Sequence, residues 1–352
     1  MRYCPVCGQK DIFVSETLGA CVGCLRAKPD LLHAVQRHRG EARRTWGLPE
    51  SPPRTPSGRT CSLCANFCQM GEGELSYCGL RTVINGRLTH LAGTPRGGLL
   101  HFYHDPLPTN CVADPFCNGR TRFGHANLAV FYGACTFDCL YCQNWHFRQM
   151  SARDRLISAD ELAAQAAQRT ACVCYFGGDP SAQMPHALAA SRRLIGRGLY
   201  ICWETNGSMH PALLDQAVEL SLASGGCIKF DLKAWDRNLH RALTGVDNSR
   251  TLENFARAAR RMNERPSPPL VVASTLLVTG YVDVQEVEAI ARYIASLDCR
   301  IPYVLLAFAP NYLLSDLPCT PSQQAHAAEE VARRVGLLTV RIGNRHLLDA
   351  GW

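Results

Sequence analysis

The sequence has no run of eighteen or more apolar residues, so nothing in it reads as a membrane-spanning helix. Its start, Met-Arg-Tyr-Cys-Pro, lacks the apolar core of a signal peptide, and the expected location is the cytoplasm. It also lacks low-complexity tracts and long internal repeats. With 352 residues, 47% of them hydrophobic, the chain can build one large catalytic domain and a smaller appendage.

Cysteine is what the chain has in excess. A secreted disulfide scaffold would explain nineteen cysteines in a chain of under about 100 residues, but not in one of this length. Eleven of them fall into three compact groups: Cys4/Cys7/Cys21/Cys24, Cys61/Cys64/Cys68/Cys78 and Cys135/Cys139/Cys142. Such grouping points to metal in a reducing compartment. The formal charge of +7 then overstates the basicity. A four-thiolate centre carries about −2 and a three-thiolate cluster about −1, which brings the balance to about +2 and argues against a nucleic-acid partner.

The first group is a pair of C-x-x-C elements separated by thirteen residues, a zinc-ribbon spacing that would also suit an Fe–S cluster. Residues 30–46 follow as a helix whose Arg37, Arg39, Arg43 and Arg44 read as a solvated face. Residues 47–60 are rich in proline and read as a stiff linker. The second group, C-x2-C-x3-C followed by a glycine-rich turn and Cys78-Gly79, can converge on zinc or Fe–S. Cys111 and Cys117, in a proline-containing loop, read as structural. From about residue 127, β-rich runs at 128–132, 172–176, 199–203, 227–232, 270–278 and 303–308 alternate with helical stretches, and a short strand at 338–342 extends the series. Ser158–Glu161 and Thr320–Gln323 read as capping boxes. Six β–α units imply a parallel sheet, too few for a closed eight-stranded barrel, and therefore an α/β fold with a partial (β/α)6 barrel behind N-terminal cysteine-rich metal-binding modules. The expected divisions are 1–46, 47–60, 61–124 and 125–352. Cys172, Cys174, Cys202 and Cys227, on or beside strands, read as small core residues.

The third group follows the first of these strands as C-x3-C-x2-C, and the next twenty-nine residues hold no cysteine. Three thiolates can bind three irons of a 4Fe–4S cube and leave the fourth open. With an aromatic residue before the last cysteine, at the head of six β–α units, this segment resembles the radical S-adenosylmethionine (SAM) superfamily. The resemblance implies that SAM chelates the open iron and that its reductive cleavage yields a 5′-deoxyadenosyl radical, which removes hydrogen from carbon. Gly177-Gly178-Asp179-Pro180 is similar to the segment that holds the methionyl amino group. Glu204-Thr205-Asn206-Gly207 and Lys229-Phe-Asp231-Leu-Lys233 resemble strand ends of glycyl-radical-enzyme activases. By that resemblance Lys233 meets the SAM carboxylate, Glu204, Thr205 and Asp231 belong to the cofactor site (Glu204 and Asp231 beside a monovalent cation), and Tyr141 packs on adenine. The pattern from His240 to Glu253 continues the likeness. Thr279, Ser274 and Ala309 depart from it at the turn after the fifth run, at a basic SAM contact and in a C-terminal histidine.

The likeness covers roughly residues 61–345 and includes the AmmeMemoRadiSam proteins. It implies a protein or peptide substrate, an electron donor such as ferredoxin or flavodoxin, and post-translational modification such as C-methylation, for which cobalamin is the further cofactor. A glycyl-radical-enzyme activase is the second enzyme reading. The readings from another class are an Fe–S electron carrier and a zinc-ribbon nucleic-acid binder. The first would need a fourth cysteine beside the cube, and the second a basic stripe with aromatics on the main domain.

Overall fold

The computed structural model describes residues 3–10, 12–109 and 111–349, so the outermost limits expected for the first and last modules lie outside the described residues. Of the N-terminal cysteines, Cys4, Cys7 and Cys21 precede α1 (Val22–Ala27) and Cys24 lies in it, and α2 (Leu32–Arg44) follows. Two small antiparallel pairs come next: β1 (Arg59–Thr60) with β2 (Gln69–Met70), and β3 (Arg81–Ile84) with β4 (Arg87–His90). The main domain runs β5 (Leu100–Pro106), β6 (Ala126–Tyr132), α3 (Ala159–Ala164), β7 (Thr170–Gly177), α4 (Met184–Ile195), β8 (Tyr200–Thr205), α5 (Pro211–Ser224), β9 (Ile228–Asp231), α6 (Arg237–Thr244), α7 (Ser249–Ala259), β10 (Val271–Leu277), α8 (Val284–Leu297), β11 (Tyr303–Ala307), α9 (Ser322–Arg334) and β12 (Val340–Gly343). None of the described helices is long and apolar enough to cross a membrane.

Strands β5 to β12 form one eight-stranded sheet in simple sequential order, parallel from β6 to β12, with β5 antiparallel along β6. The sheet does not close: β5 and β12 are its edges. Alternation along each strand sets the layers. Val173, Tyr175, Ile201, Trp203, Phe230 and Tyr303 pack outwards into the core beneath the helices. Cys174, Cys202, Val272 and Val304, from β7, β8, β10 and β11, meet in a separate interior cluster, which requires the sheet to curl round them.

Three sequence expectations change. The parallel series ends in β12, matching the short strand expected at 338–342, but the sheet also gains an unexpected antiparallel strand, β5. Its sequence, LHFYHDP, is mostly polar because an edge strand buries little more than Leu100. The last helix begins at Ser322 with Pro321 as its cap and no side-chain capping bond, because the Thr320 hydroxyl instead donates to Leu277 O and accepts from Phe308 N. The box at Ser158–Glu161 is present. The arginine helix is a solvated face only at Arg37 and Arg44: Arg39 and Arg43 are buried, and Arg39 donates to Asp138 O at 3.0 Å and to Ala242 O, while Arg43 donates to Tyr77 O. Cys174, Cys202 and Cys227 are buried in an apolar cluster, as expected of small core residues, and that cluster fills the barrel interior beside Cys111 and Cys117.

Candidate active site at the mouth of the barrel

β6 delivers the chain into the loop carrying Cys135, Cys139 and Cys142. This loop is fixed on every side. Its Asp138 and Leu140 N–H groups donate to Thr244 O and Leu243 O at the end of α6, each at 2.9 Å, and Leu140 O accepts from Leu313 and Leu314. Asp138 is fully buried, ion-paired with Arg148 and 3.6 Å from Arg43. Replacing such a buried carboxylate would leave two guanidinium groups without their counter-charge.

The three cysteines share one cavity of about 280 Å³ with Tyr141, Gly177, Gly178, Asp179, Glu204, Asp231 and Lys233. Asn206, Arg148 and Asn344 line it too, and sequence reasoning gave these no role. Thr205 does not line it. Its hydroxyl instead donates to the Asp179 carboxylate at 3.1 Å, which also accepts from Asn206 N at 2.6 Å and Ser181 N at 2.7 Å. Asp179 therefore holds the end of β8 in place. The freed Asn206 side chain donates to Thr136 at 2.9 Å and reaches Cys135 Sγ at 3.8 Å.

The glycines are required here. Gly177 has a φ of +101°, and a Cβ on Gly178 would sit 2.2 Å from Ala134 O. Any side chain there would fill the gap between β7 and the cysteine loop. Opposite stands a ladder of alternating charge from successive strand ends. Glu204 meets Lys229 at 3.1 Å, Lys229 meets Asp231 at 2.8 Å, and Asp231 meets Lys233 at 2.8 Å. Ser274, where a basic group was looked for, donates to Asp231 at 2.6 Å. Burial alone would raise the Asp231 pKa, but Lys229 and Lys233 hold it well below the usual carboxylate range. Burial opposes charge on Lys233 as well, yet Asp231 and Cys139 keep its pKa raised.

The cysteines behave oppositely. Burial pushes Cys139 up to about 12 against the pull of Lys233, and raises Cys135 and Cys142 as well. Without a cation these thiols stay neutral. The Tyr141 hydroxyl is buried and has no hydrogen-bond partner among the described residues. Soft thiols on one wall, a charged ladder on the other and an unmatched hydroxyl between them suit iron together with a zwitterionic small molecule.

The other two cysteine groups also assemble. Cys4, Cys7, Cys21 and Cys24 bring their four sulfurs within 4.8 Å of one another, with Cys4–Cys24 at 3.9 Å and Cys7–Cys21 at 3.8 Å. Cys61, Cys64, Cys68 and Cys78 line a small buried cavity with Arg81, and Cys61 and Cys68 share an apolar cluster with Phe137, against which Cys135 and Cys139 pack.

Residues 129–294 match the radical SAM superfamily. Over 301 residues the chain is 25% identical to an uncharacterised protein of Methanocaldococcus jannaschii, covering 81% of this chain and 80% of that one. It is 33% identical over 133 residues to the isethionate sulfite-lyase activating enzyme of Oleidesulfovibrio alaskensis, covering 38% of this chain and 40% of that one. It is 27% identical over 179 residues to the pyruvate formate-lyase-activating enzyme of Staphylococcus aureus, covering 48% of this chain and 69% of that one.

Proposed function

We propose, for a chain that is a radical SAM enzyme, that Cys135, Cys139 and Cys142 hold its 4Fe–4S cluster and that the cavity beside them takes SAM. When bound, the reduced cluster and SAM supply a 5′-deoxyadenosyl radical that removes hydrogen from a carbon. The observation that carries this reading is the gathering of the three thiols, the Gly177–Gly178 turn and the charge ladder round one cavity. The chain's own residues then have separate tasks. Lys233 offers an ammonium to a carboxylate, Tyr141 offers its unmatched hydroxyl and ring, and Asn206 donates towards Cys135. Arg148, beside Cys142, offsets negative charge on the thiolates.

For the N-terminal group we propose one zinc ion. Metal–sulfur bonds of about 2.3 Å in a tetrahedron set sulfurs about 3.8 Å apart, the spacing of the observed pairs. The wider group round Arg81 suits an auxiliary Fe–S cluster whose contact with the Cys135 loop gives an external reductant, such as ferredoxin or flavodoxin, a route inwards. The substrate is a protein or peptide carbon. A specific observation favours an activase as the second reading: two of the relatives are named as activating enzymes of lyases.

Anaerobic reconstitution with SAM, dithionite and a candidate protein separates the outcomes. A glycyl-radical EPR signal in the partner identifies activation, whereas S-adenosylhomocysteine formed together with 5′-deoxyadenosine identifies methyl transfer with cobalamin as the expected carrier. Failure to form any deoxyadenosine overturns both.

A further inference from the structure

One layer below the charge ladder the barrel departs from its usual filling. Barrels of this kind pack their interiors with bulky branched residues, and Val272 and Val304 do so on one side. On the other, β7 and β8 present Cys174 and Cys202, and the loop between β5 and β6 inserts Cys111 against them. Small-residue packing alone would not confine thiols to adjacent strands facing a thiol-bearing loop, nor set a carboxylate among them. The sulfurs of Cys111 and Cys174 and a Glu204 carboxylate oxygen all lie within 4.8 Å of one another. Cys111 donates to Glu204 Oε1 at 3.2 Å, and Oε2 faces Lys229 at 3.1 Å. The three side chains line a second cavity, of about 180 Å³, that extends to Tyr103 and Asp105.

We infer that Cys111, Cys174 and Glu204 bind one thiophilic divalent cation of the zinc class inside the barrel, with its fourth coordination position open to this second cavity. Two thiolates and a carboxylate are donors that zinc accepts, and three protein ligands with one open position mark a reactive rather than a purely structural site. A 4Fe–4S cube fits less well, because its thiolates sit on separate irons and stand farther apart than ligands of a single ion. Two thiolates and a carboxylate leave one net negative charge round a dication, and Lys229 stands against it. The open position takes water or a lone-pair donor of the substrate. The site shares Glu204 with the cavity proposed for SAM, while Cys111 and Cys174 lie outside that cavity, so divalent-ion binding is measured apart from iron and SAM.

The full-length, iron-loaded protein is incubated anaerobically with Zn²⁺ or Co²⁺, desalted and analysed for metals. C111A/C174A is compared with wild type and with C299A, whose thiol is exposed. The double variant is expected to hold one divalent ion per chain fewer than either, to lose the matching part of the thiolate-to-cobalt absorbance, and to keep its iron. Equal divalent content in all three overturns the site. If the double variant loses iron too, E204Q decides: Zn²⁺ retention against a chelator weakened by about tenfold or more supports the site, and wild-type retention overturns it.

Discussion

The N-terminal cysteine knuckle and the cysteine loop at the barrel mouth use the same side chain in opposite ways. In the knuckle the sulfurs already touch, at 3.8 and 3.9 Å, and the Cys21 N–H donates to Cys4 Sγ at 3.3 Å. Burial raises Cys21 and Cys24 there and opposes a thiolate at Cys4, yet backbone N–H groups from Cys21, Cys7 and Val6 bring Cys4 down to about 6. At the mouth, Cys135, Cys139 and Cys142 surround a cavity, and burial raises all three. Sulfurs in contact with a ready thiolate suit one ion that holds the fold together. Sulfurs spread round a space suit a larger group that leaves room for a reactant. The spacing of the thiols thus separates a structural centre from a reactive one where sequence spacing does not.

The largest expected effect breaks the knuckle. Structural zinc sites contribute on the order of 10 kcal/mol to folding at neutral pH, so a zinc chelator should unfold residues up to about 30, seen as new proteolytic cleavage there, while iron content stays constant. The knuckle is tied to the barrel by Ser15 N donating to Tyr281 at 2.9 Å and by Arg26 ion-paired with Asp283 at 2.8 Å. Those ties should be lost on chelation too, and a Cys4→Ala variant should reproduce the result. Removing iron alone should leave the barrel folded, because the mouth loop is held by protein contacts.

Asp138→Ala tests those contacts. Leaving Arg148 and Arg43 unpaired in the interior should cost about 3–5 kcal/mol in denaturant unfolding and reduce iron retention, with zinc unaffected. Smaller and graded is the response to acid. Burial lowers both His186 and His240 from 6.5 to about 4. The unfolded chain therefore takes up protons in a range where the native chain does not. Stability should be full above pH 6.5 and fall as the pH drops towards 4, by about 1.4 kcal/mol per pH unit for each histidine. His240 packs against Phe137 of the mouth loop at 5.5 Å, so His240→Gln should remove about half of the acid decline and leave the part due to His186.

The mouth was largely legible in the sequence because its parts are local. Three cysteines sit within eight residues, and the GGDP, ETNG and DLK segments each end one strand. What was not legible depends on contacts between distant segments. Arg39 looked like a surface residue because its partner, Asp138, lies 99 positions away. Cys111 looked structural because its partner Glu204 lies 93 positions away and the loop between β5 and β6 had no predicted docking point. β5 itself was missed because an exposed edge strand carries little of the apolar alternation that reveals a strand. Thr205 was matched to the cofactor site by resemblance, but its hydroxyl is committed to Asp179.

The central claim, that the mouth cysteines hold the cluster responsible for radical chemistry, is tested by measuring 5′-deoxyadenosine from SAM and dithionite in the reconstituted wild type and in the Cys135/Cys139/Cys142→Ala triple variant. The account predicts product from the wild type and none from the triple variant, with the knuckle zinc present in both. Deoxyadenosine formation by the triple variant would contradict it.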